Sequence, residues 1–436
     1  MSATSALGYL DQLLGGQPYI PVTSQALGWL NNLRAEAVDR VGELTVPTSR
    51  DEAWRFTDIS QLTGLSFQRA RAETRLQSTD IGPFHIPEAV NRLVFVDGLF
   101  APLLSSNARD IGVVMTHLTG VGAEHSEVLR PHLGRHAIFD KNLFSALNTA
   151  FLNDAALIVV RRDTALAAPL HVLFIATQKD VASYPRCLLI AEPGSAVTLI
   201  EDYVSLQEAS YFTNAVTEIA IGDNAQVEHV RVQREGSQGF HIANCAVSVA
   251  RSSRYRSVSV ALGARISRYD LNLLQTAEGA ECRIDGLALI DGRQLADTHT
   301  RIDHAKPFGI SRQLHKCIVG GAAHAVFSGK IVVRPGAQCT DSAQSSRNLL
   351  LSGKAHVDTQ PQLEIFADDV KCTHGATVGQ LDSEELFYLA SRGLSNSAAR
   401  NLLTYAFGAE IIERIPVASL REQLINTVMA RTTAKP

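Results

Sequence analysis

Four short phrases decide how this chain is to be read: Gly222–His229 (GDNAQVEH), Glu278–Asp285 (EGAECRID), Pro335–Ser342 (PGAQCTDS) and Ser352–Thr359 (SGKAHVDT). Each passes from Gly or a small cluster to an Ala and, two residues on, to a small apolar residue or Cys. The pairs are Ala225 and Val227, Ala280 and Cys282, Ala337 and Cys339, Ala355 and Val357. Gly marks a turn where φ must be positive or another backbone comes close. An inward Ala, Val or Cys has the size that fits where rungs of a narrow coil stack on one another. The spacing of the phrases is irregular, so the chain is not a consensus array. The pattern predicts a parallel β-helix with imperfect coils; a Greek-key sandwich is the competing arrangement.

The surrounding sequence fits a β-rich core. From about 156 to 375 short runs recur, among them ALIVV (156–160), HVLFIAT (171–177), CLLIA (187–191), AVTEIAI (215–221), QVEHVRVQ (226–233), CAVSVA (245–250), KIVVR (330–334) and QLEIFA (362–367). No long helical pattern interrupts them, which leaves sandwich, barrel or solenoid. The flanks read differently. Ser5–Leu14 and Ser24–Val41 carry apolar residues at helical spacing, with Ser24 as a cap and Pro47 as the stop. Residues 46–150 are mixed, with a strand over Arg92–Val96 and a helix over Asn142–Phe151. Past 376, Asp382 with Glu385 opens a helix that Gly393 ends; Ser395 or Ser397 opens a second that Pro416 breaks; a third carries Leu420, Leu424 and Val428. The expected domains are an N-terminal helical and mixed region (1–150), a β-helix core (151–375) and a C-terminal helical domain (376–436). The C-terminal helices are expected to offer an apolar groove to a partner, or else to fold back on the core.

Composition narrows the function classes. The 436 residues hold 40 Lys+Arg against 44 Asp+Glu, a net charge of −4, and no basic run suited to nucleic acid. The longest apolar stretch, Ala155–Val160, is too short to cross a bilayer, and the N-terminus has no signal or transit pattern. A soluble, cytoplasmic chain is expected. Cys187, Cys245, Cys282, Cys317, Cys339 and Cys372 contain no C-x-x-C pair, and five of the six are expected to be reduced core thiols.

Enzymatic constellations are missing. The sequence has no G-x-x-x-x-G-K-[ST], G-x-S-x-G, H-E-x-x-H or G-x-G-x-x-G. A polysaccharide-cleaving β-helix needs carboxylates grouped on one sheet face, whereas the adjacent Asp368 and Asp369 would point to opposite faces of a strand. His299, His304, His315, His324 and His356 are scattered and read as structural. Within Val370–Gly379 (VKCTHGATVG), Cys372 and His374 are two residues apart and share a strand face. A thiolate beside an imidazole can hold a soft metal, an iron–sulfur fragment or a persulfide. They sit at the final turn of the β-region, where a solenoid's last rung has unpaired backbone groups that must be capped or joined to another chain.

At these residues the chain resembles a known family. Gln344–Gly393, QSSRNLLLSGKAHVDTQPQLEIFADDVKCTHGATVGQLDSEELFYLASRG, resembles the SufB/SufD family of iron–sulfur cluster assembly proteins, and K-C-x-H-G-A-T-V-G-x-L resembles its SufD branch. Pro47–Asp58, PTSRDEAWRFTD, is similar to the same branch and contains Trp54. The resemblance implies a right-handed parallel β-helix between helical domains and a scaffold subunit without catalysis of its own. It implies pairing with a SufB-like subunit through the β-helix and binding of a SufC-like ATPase through the C-terminal helices. Sulfur would come from a cysteine desulfurase and a transfer protein. His374 would be a candidate ligand of the nascent cluster at the SufB interface, with Cys372 nearby. Ala355 stands where SufB carries its acceptor cysteine, so this chain would supply half a site. The resemblance further implies no tightly bound cofactor, only a transient iron–sulfur cluster in the complex, and bacterial cytoplasm as its location. The unsatisfied edge would also admit a homodimer of the isolated chain. The competing readings are a cytoplasmic β-helix carbohydrate-active enzyme and a homodimeric Cys/His metal-binding protein.

Overall fold

The computed structural model describes residues 8–10, 13–15, 19–22, 25–71, 76–106 and 112–433. Its core is a β-solenoid of two facing sheets, one of 11 strands and one of 10. Successive strands alternate between the sheets. Tyr211–Ile221 pairs in parallel with Gly239–Val249, while the intervening Gln226–Arg234 lies in the other sheet, between Ala196–Ser205 and Arg254–Ala261. The direction of the ladders, rather than the presence of two faces, separates this coil from a Greek-key sandwich, whose ladders are antiparallel. Among the described strands only two pairs are antiparallel, Val113–His117 with Ala156–Val160 and Leu99–Phe100 with Asn91–Val96, both at the N-terminal end.

The repeated phrase works as its residues require. Asn224 and Gly279 take φ of 59° and 71°, the left-handed region, and turn the chain into the next rung. The alanines that follow, Ala225 and Ala280, are fully buried, as are Ala323 and Ala337. One member of the set departs. Cys339 has φ 59° and is exposed, and its strand begins a residue later at Thr340, so it bulges outward instead of facing the core. Only Cys187, Cys245, Cys282 and Cys317 are buried, so four thiols lie in the core rather than five. The strands Ile266–Gln275, Leu295–His304 and Ile310–Val319 were not evident as apolar runs, because polar and charged residues such as Arg268, Asp297 and Arg312 alternate with their inward ones.

The flanks pack directly on the coil. The helix Gly28–Glu43 ends before Pro47; the expected helix over 5–14 and the Ser24 cap fall partly or wholly outside the described residues. Asn142 caps the helix Leu143–Ala150 by accepting from the Ser145 amide, and Asn148 donates to the carbonyls of Pro185 and Asn214 at 2.8 and 2.7 Å, which fixes that helix to the sheet. Strands at 91–96 and 113–117 already pair within the solenoid sheets, the helix Leu143–Ala150 ends at 150, and the last strand, Val370–Gln380, runs across 375. At the C-terminus Asp382 caps Ser383–Ser391 and Ser395 caps Asn396–Ile412; Gly393, at φ 93°, turns the chain between them. The second and third helices fold back. Ile411, Ile412, Ile415, Leu420, Leu424 and Val428 bury themselves against Val230, Val260, Leu287 and Ile318 on the outer sheet face. Ser383–Ser391 buries no residue, so the expected apolar surface survives on one helix. No described helix is long and apolar enough to cross a membrane.

Candidate functional site

The C-terminal end of the solenoid is open. Among the described residues the strand His356–Ile365 pairs only with His324–Val333, and Val370–Gln380 only with Thr340–Leu350. Both terminal strands therefore carry a row of backbone donors and acceptors with no neighbouring ladder. Middle turns enclose apolar side chains such as Leu189, Ile219, Val247 and Leu271 beside the polar Glu201, His229 and Arg231, and the last turns enclose Ile331 and Val333 beside the polar Ser311, Gln313, Ser342 and Gln344.

Two hydrogen-bonded rows run through this interior toward the open end. In the first, His304 Nε2 lies 2.9 Å from Ser311 Oγ, which is 2.7 Å from Ser342 Oγ; Ser342 is the register partner of Cys372. In the second, Gln344 Nε2 donates to Gln313 Oε1 at 2.7 Å, and Gln313 Nε2 donates to Thr300 Oγ1 at 2.8 Å; Gln344 is the register partner of His374. Gly329 makes room for this row, since a Cβ there would meet Gln344 Nε2 at 2.2 Å. At the end of the row Gln344 Oε1 is buried without a partner, as are Asn348 Oδ1 and Thr359 Oγ1. Buried polar atoms without partners are costly; others of the kind lie deeper in the coil, as on His171 and Tyr269, but at this end a further layer would be placed to cover them.

Cys372 and His374 both continue inward-facing columns of the last strand, as the two-residue spacing predicts, but their surroundings differ. Cys372 is half-buried against Ile331, Val333, Ala337 and Ala367. Burial pushes its thiol above the usual range; the Ser342 amide opposes this and the Asp341 carboxylate adds to it. Burial thus favours its thiol over the thiolate that an imidazole neighbour would otherwise promote. His374 is exposed because no further rung covers it, and among the described residues no hydrogen bond joins it to Cys372. Ala355 is buried at the turn leading into the other terminal strand.

One feature was missed in the sequence. His324 and His356 are not scattered: they are register partners, and both approach Asp358. The aligned phrases AAHAV (322–326) and KAHVD (354–358) carried that signal. The helix Ser383–Ser391 exposes Phe387 and Tyr388, 76% and 56% accessible, two residues after the end of the last strand.

Comparison with known proteins places these observations. Residues 174–407 match the family described as SUF system FeS cluster assembly, SufBD core domain, and residues 18–172 match the SufBD protein N-terminal region. The chain is 41% identical to an iron–sulfur cluster assembly SufBD family protein of Synechocystis, over 97% of this chain and 95% of that one. It is 34% identical to the iron–sulfur cluster assembly protein SufD of Escherichia coli, over 88% and 89% of the two chains. To the SufD of Bacillus subtilis it is 26% identical, over 93% and 94%.

Proposed function

Because the chain belongs to the SufBD family of iron–sulfur cluster assembly proteins, we propose that it is a SufD-like scaffold subunit without catalysis of its own. In this reading it pairs with a SufB-like subunit through the open end of the solenoid and binds a SufC-like ATPase through its C-terminal helices, in the cytoplasm. The nascent cluster is cargo, not a resident cofactor. His374 supplies one ligand to it, Cys372 lies at its margin, and the SufB-like partner supplies the acceptor thiol that Ala355 does not. Sulfur reaches the site through a desulfurase and a transfer protein that dock on the assembled complex. The carbohydrate-enzyme alternative finds no support in this membership.

The observation that carries the reading is the open end itself: two single-paired terminal strands, with buried orphan atoms on Gln344, Asn348 and Thr359 beside an exposed His374. A second parallel coil would extend both sheets, pair their edges and cover those atoms.

The helices supply a route for force. Ser383–Ser391 follows directly on Val370–Gln380, so displacement of that helix acts on the strand that bears His374. The second helix is clamped to the same sheet by Lys316 Nζ on Glu410 at 2.6 Å and Arg414 on Asp285 at 2.5 Å. ATP-driven dimerisation of the SufC-like subunit would pull on the exposed helix against this clamp and open the edge to iron and sulfur. That requires the ATPase to bind the open and closed states with different affinity.

Co-expression with a SufB-like and a SufC-like protein tests the proposal. A single size-exclusion peak containing all three is expected; the chain eluting alone while the other two associate would overturn it.

A further inference from the structure

We propose that His324, His356 and Asp358 form a binding site for one divalent first-row transition-metal ion on the outer face of the solenoid's last two turns. The site stands apart from Cys372 and His374, which face inward on the other sheet, and it does not depend on the scaffold reading.

The ladder builds it. His324 and His356 are direct register partners on neighbouring parallel strands, and Asp358 lies two residues beyond His356 on the same face. His324 Nε2 is 2.7 Å from Asp358 Oδ2, and His356 Nε2 is 3.2 Å from the same oxygen. All three donor atoms lie within 4.8 Å of one another. Metal–ligand bonds of about 2.0–2.2 Å in a tetrahedral set place donors roughly 3.3 Å apart, so small side-chain rotations suffice to close on an ion.

The chemistry of the donors selects the ion. Two imidazoles and one carboxylate suit iron(II) or zinc, whereas calcium and magnesium prefer all-oxygen shells. Among the described residues Asp358 has no Lys or Arg partner; its only counter-groups are the two histidines. Asp358 and His324 are partly sheltered, at 24% and 27% accessible, and His356 is open at 65%, which leaves an approach for the ion. Three protein donors leave at least one coordination position for water or an incoming ligand, the pattern of an exchangeable site rather than a structural one.

Cobalt(II) is a direct probe, because its visible absorption bands report coordination. Titrating the tag-free full-length chain should give one saturating equivalent with tetrahedral or five-coordinate bands. His356→Ala and Asp358→Asn should each weaken binding at least about tenfold, while the Cys372→Ser/His374→Ala double variant should bind as the wild type does. Displacement by zinc(II), or by iron(II) under anaerobic conditions, then identifies the preferred ion. A metal-dependent rise in melting temperature, present in the wild type and absent in His356→Ala, checks the result without spectroscopy. His356 is largely exposed, so that variant should melt normally without metal. No saturable cobalt binding, binding unchanged in His356→Ala and Asp358→Asn, binding lost in the Cys372/His374 variant, or displacement by neither ion would each overturn the site.

Discussion

The guanidinium of Arg268 lies over the ring of Trp54, 3.9 Å from its centroid, and Nη1 donates to the Ala53 carbonyl at 2.8 Å. The pair joins the Pro47–Asp58 segment to the middle of the solenoid. Asp297 completes the joint by pairing with Arg268 and accepting from Thr57 Oγ1 at 2.5 Å. Trp54→Ala should therefore lower stability by about 2 kcal/mol through lost cation–π contact and packing. Arg268→Ala should lower it by about 3–5 kcal/mol, because it leaves Asp297 buried without its guanidinium partner, with only His299 and Thr57 beside it. Urea unfolding monitored by circular dichroism measures both, and equal costs for the two variants would contradict the proposed order.

The same joint sets an acid limit. Burial disfavours ionised Asp297, but Arg268, His299 and Thr57 outweigh it and hold the carboxyl down at about 2. The folded pKa lies below the unfolded one, so the stabilisation is complete above about pH 4 and fades as pH falls toward 2. Its size is on the order of 2 kcal/mol. Asp297→Asn should flatten the acid limb of the unfolding midpoint against pH over that window.

Buried histidines act at milder pH. Burial holds His304 down at about 4, with Asp303 opposing, and His315, stacked on Phe327, down at about 3. Each binds its proton more readily unfolded than folded. Their contribution is thus complete above about pH 6.5 and declines as pH falls toward those values. His315→Gln should reduce the loss of urea midpoint between pH 6.5 and 4; an unchanged slope would remove His315 from the account.

Thiol accessibility should separate the cysteines. In the native chain only Cys339 and Cys372 should react with a disulfide reagent, and both slowly at neutral pH. The Asp369 hydrogen bond raises the first thiol, and burial raises the second. Cys187, Cys245, Cys282 and Cys317 should react only on unfolding. Mass spectrometry of labelled peptides would read the order directly.

His374→Ala should leave the three-protein complex intact on size exclusion yet lower the activity of cluster-dependent enzymes in vivo. Unchanged activity would remove His374 from the site. Phe387→Ala with Tyr388→Ala, on the exposed helix, should weaken binding of the SufC-like ATPase while sparing the SufB-like partner; full ATPase binding would place that contact elsewhere.

Much of this was legible along the chain. The buried alanines after each turn, the Asp382 and Ser395 caps and the shared face of Cys372 and His374 depend on residues only a few positions apart, where alternation and capping act. The coil was readable because its turn phrase repeats. What misled was local resemblance without local geometry: Cys339 fits the phrase, yet its positive φ puts the thiol outside. Whether the C-terminal helices fold back or stand free was left open, because Ile411 and Leu424 find their partners on strands far earlier in the chain.

Which residues become neighbours across rungs is settled by the length of each turn, and loops set that length. Phe240 meets Ile266, a turn of 26 residues, whereas His324 meets His356 after 32. A pattern confined to one strand cannot encode such offsets, so the strands, helices and caps follow from the amino acids in order. The meeting of His324, His356 and Asp358, the two polar rows ending at Ser342 and Gln344, and the Arg268–Trp54 joint exist only once the coil has closed on itself.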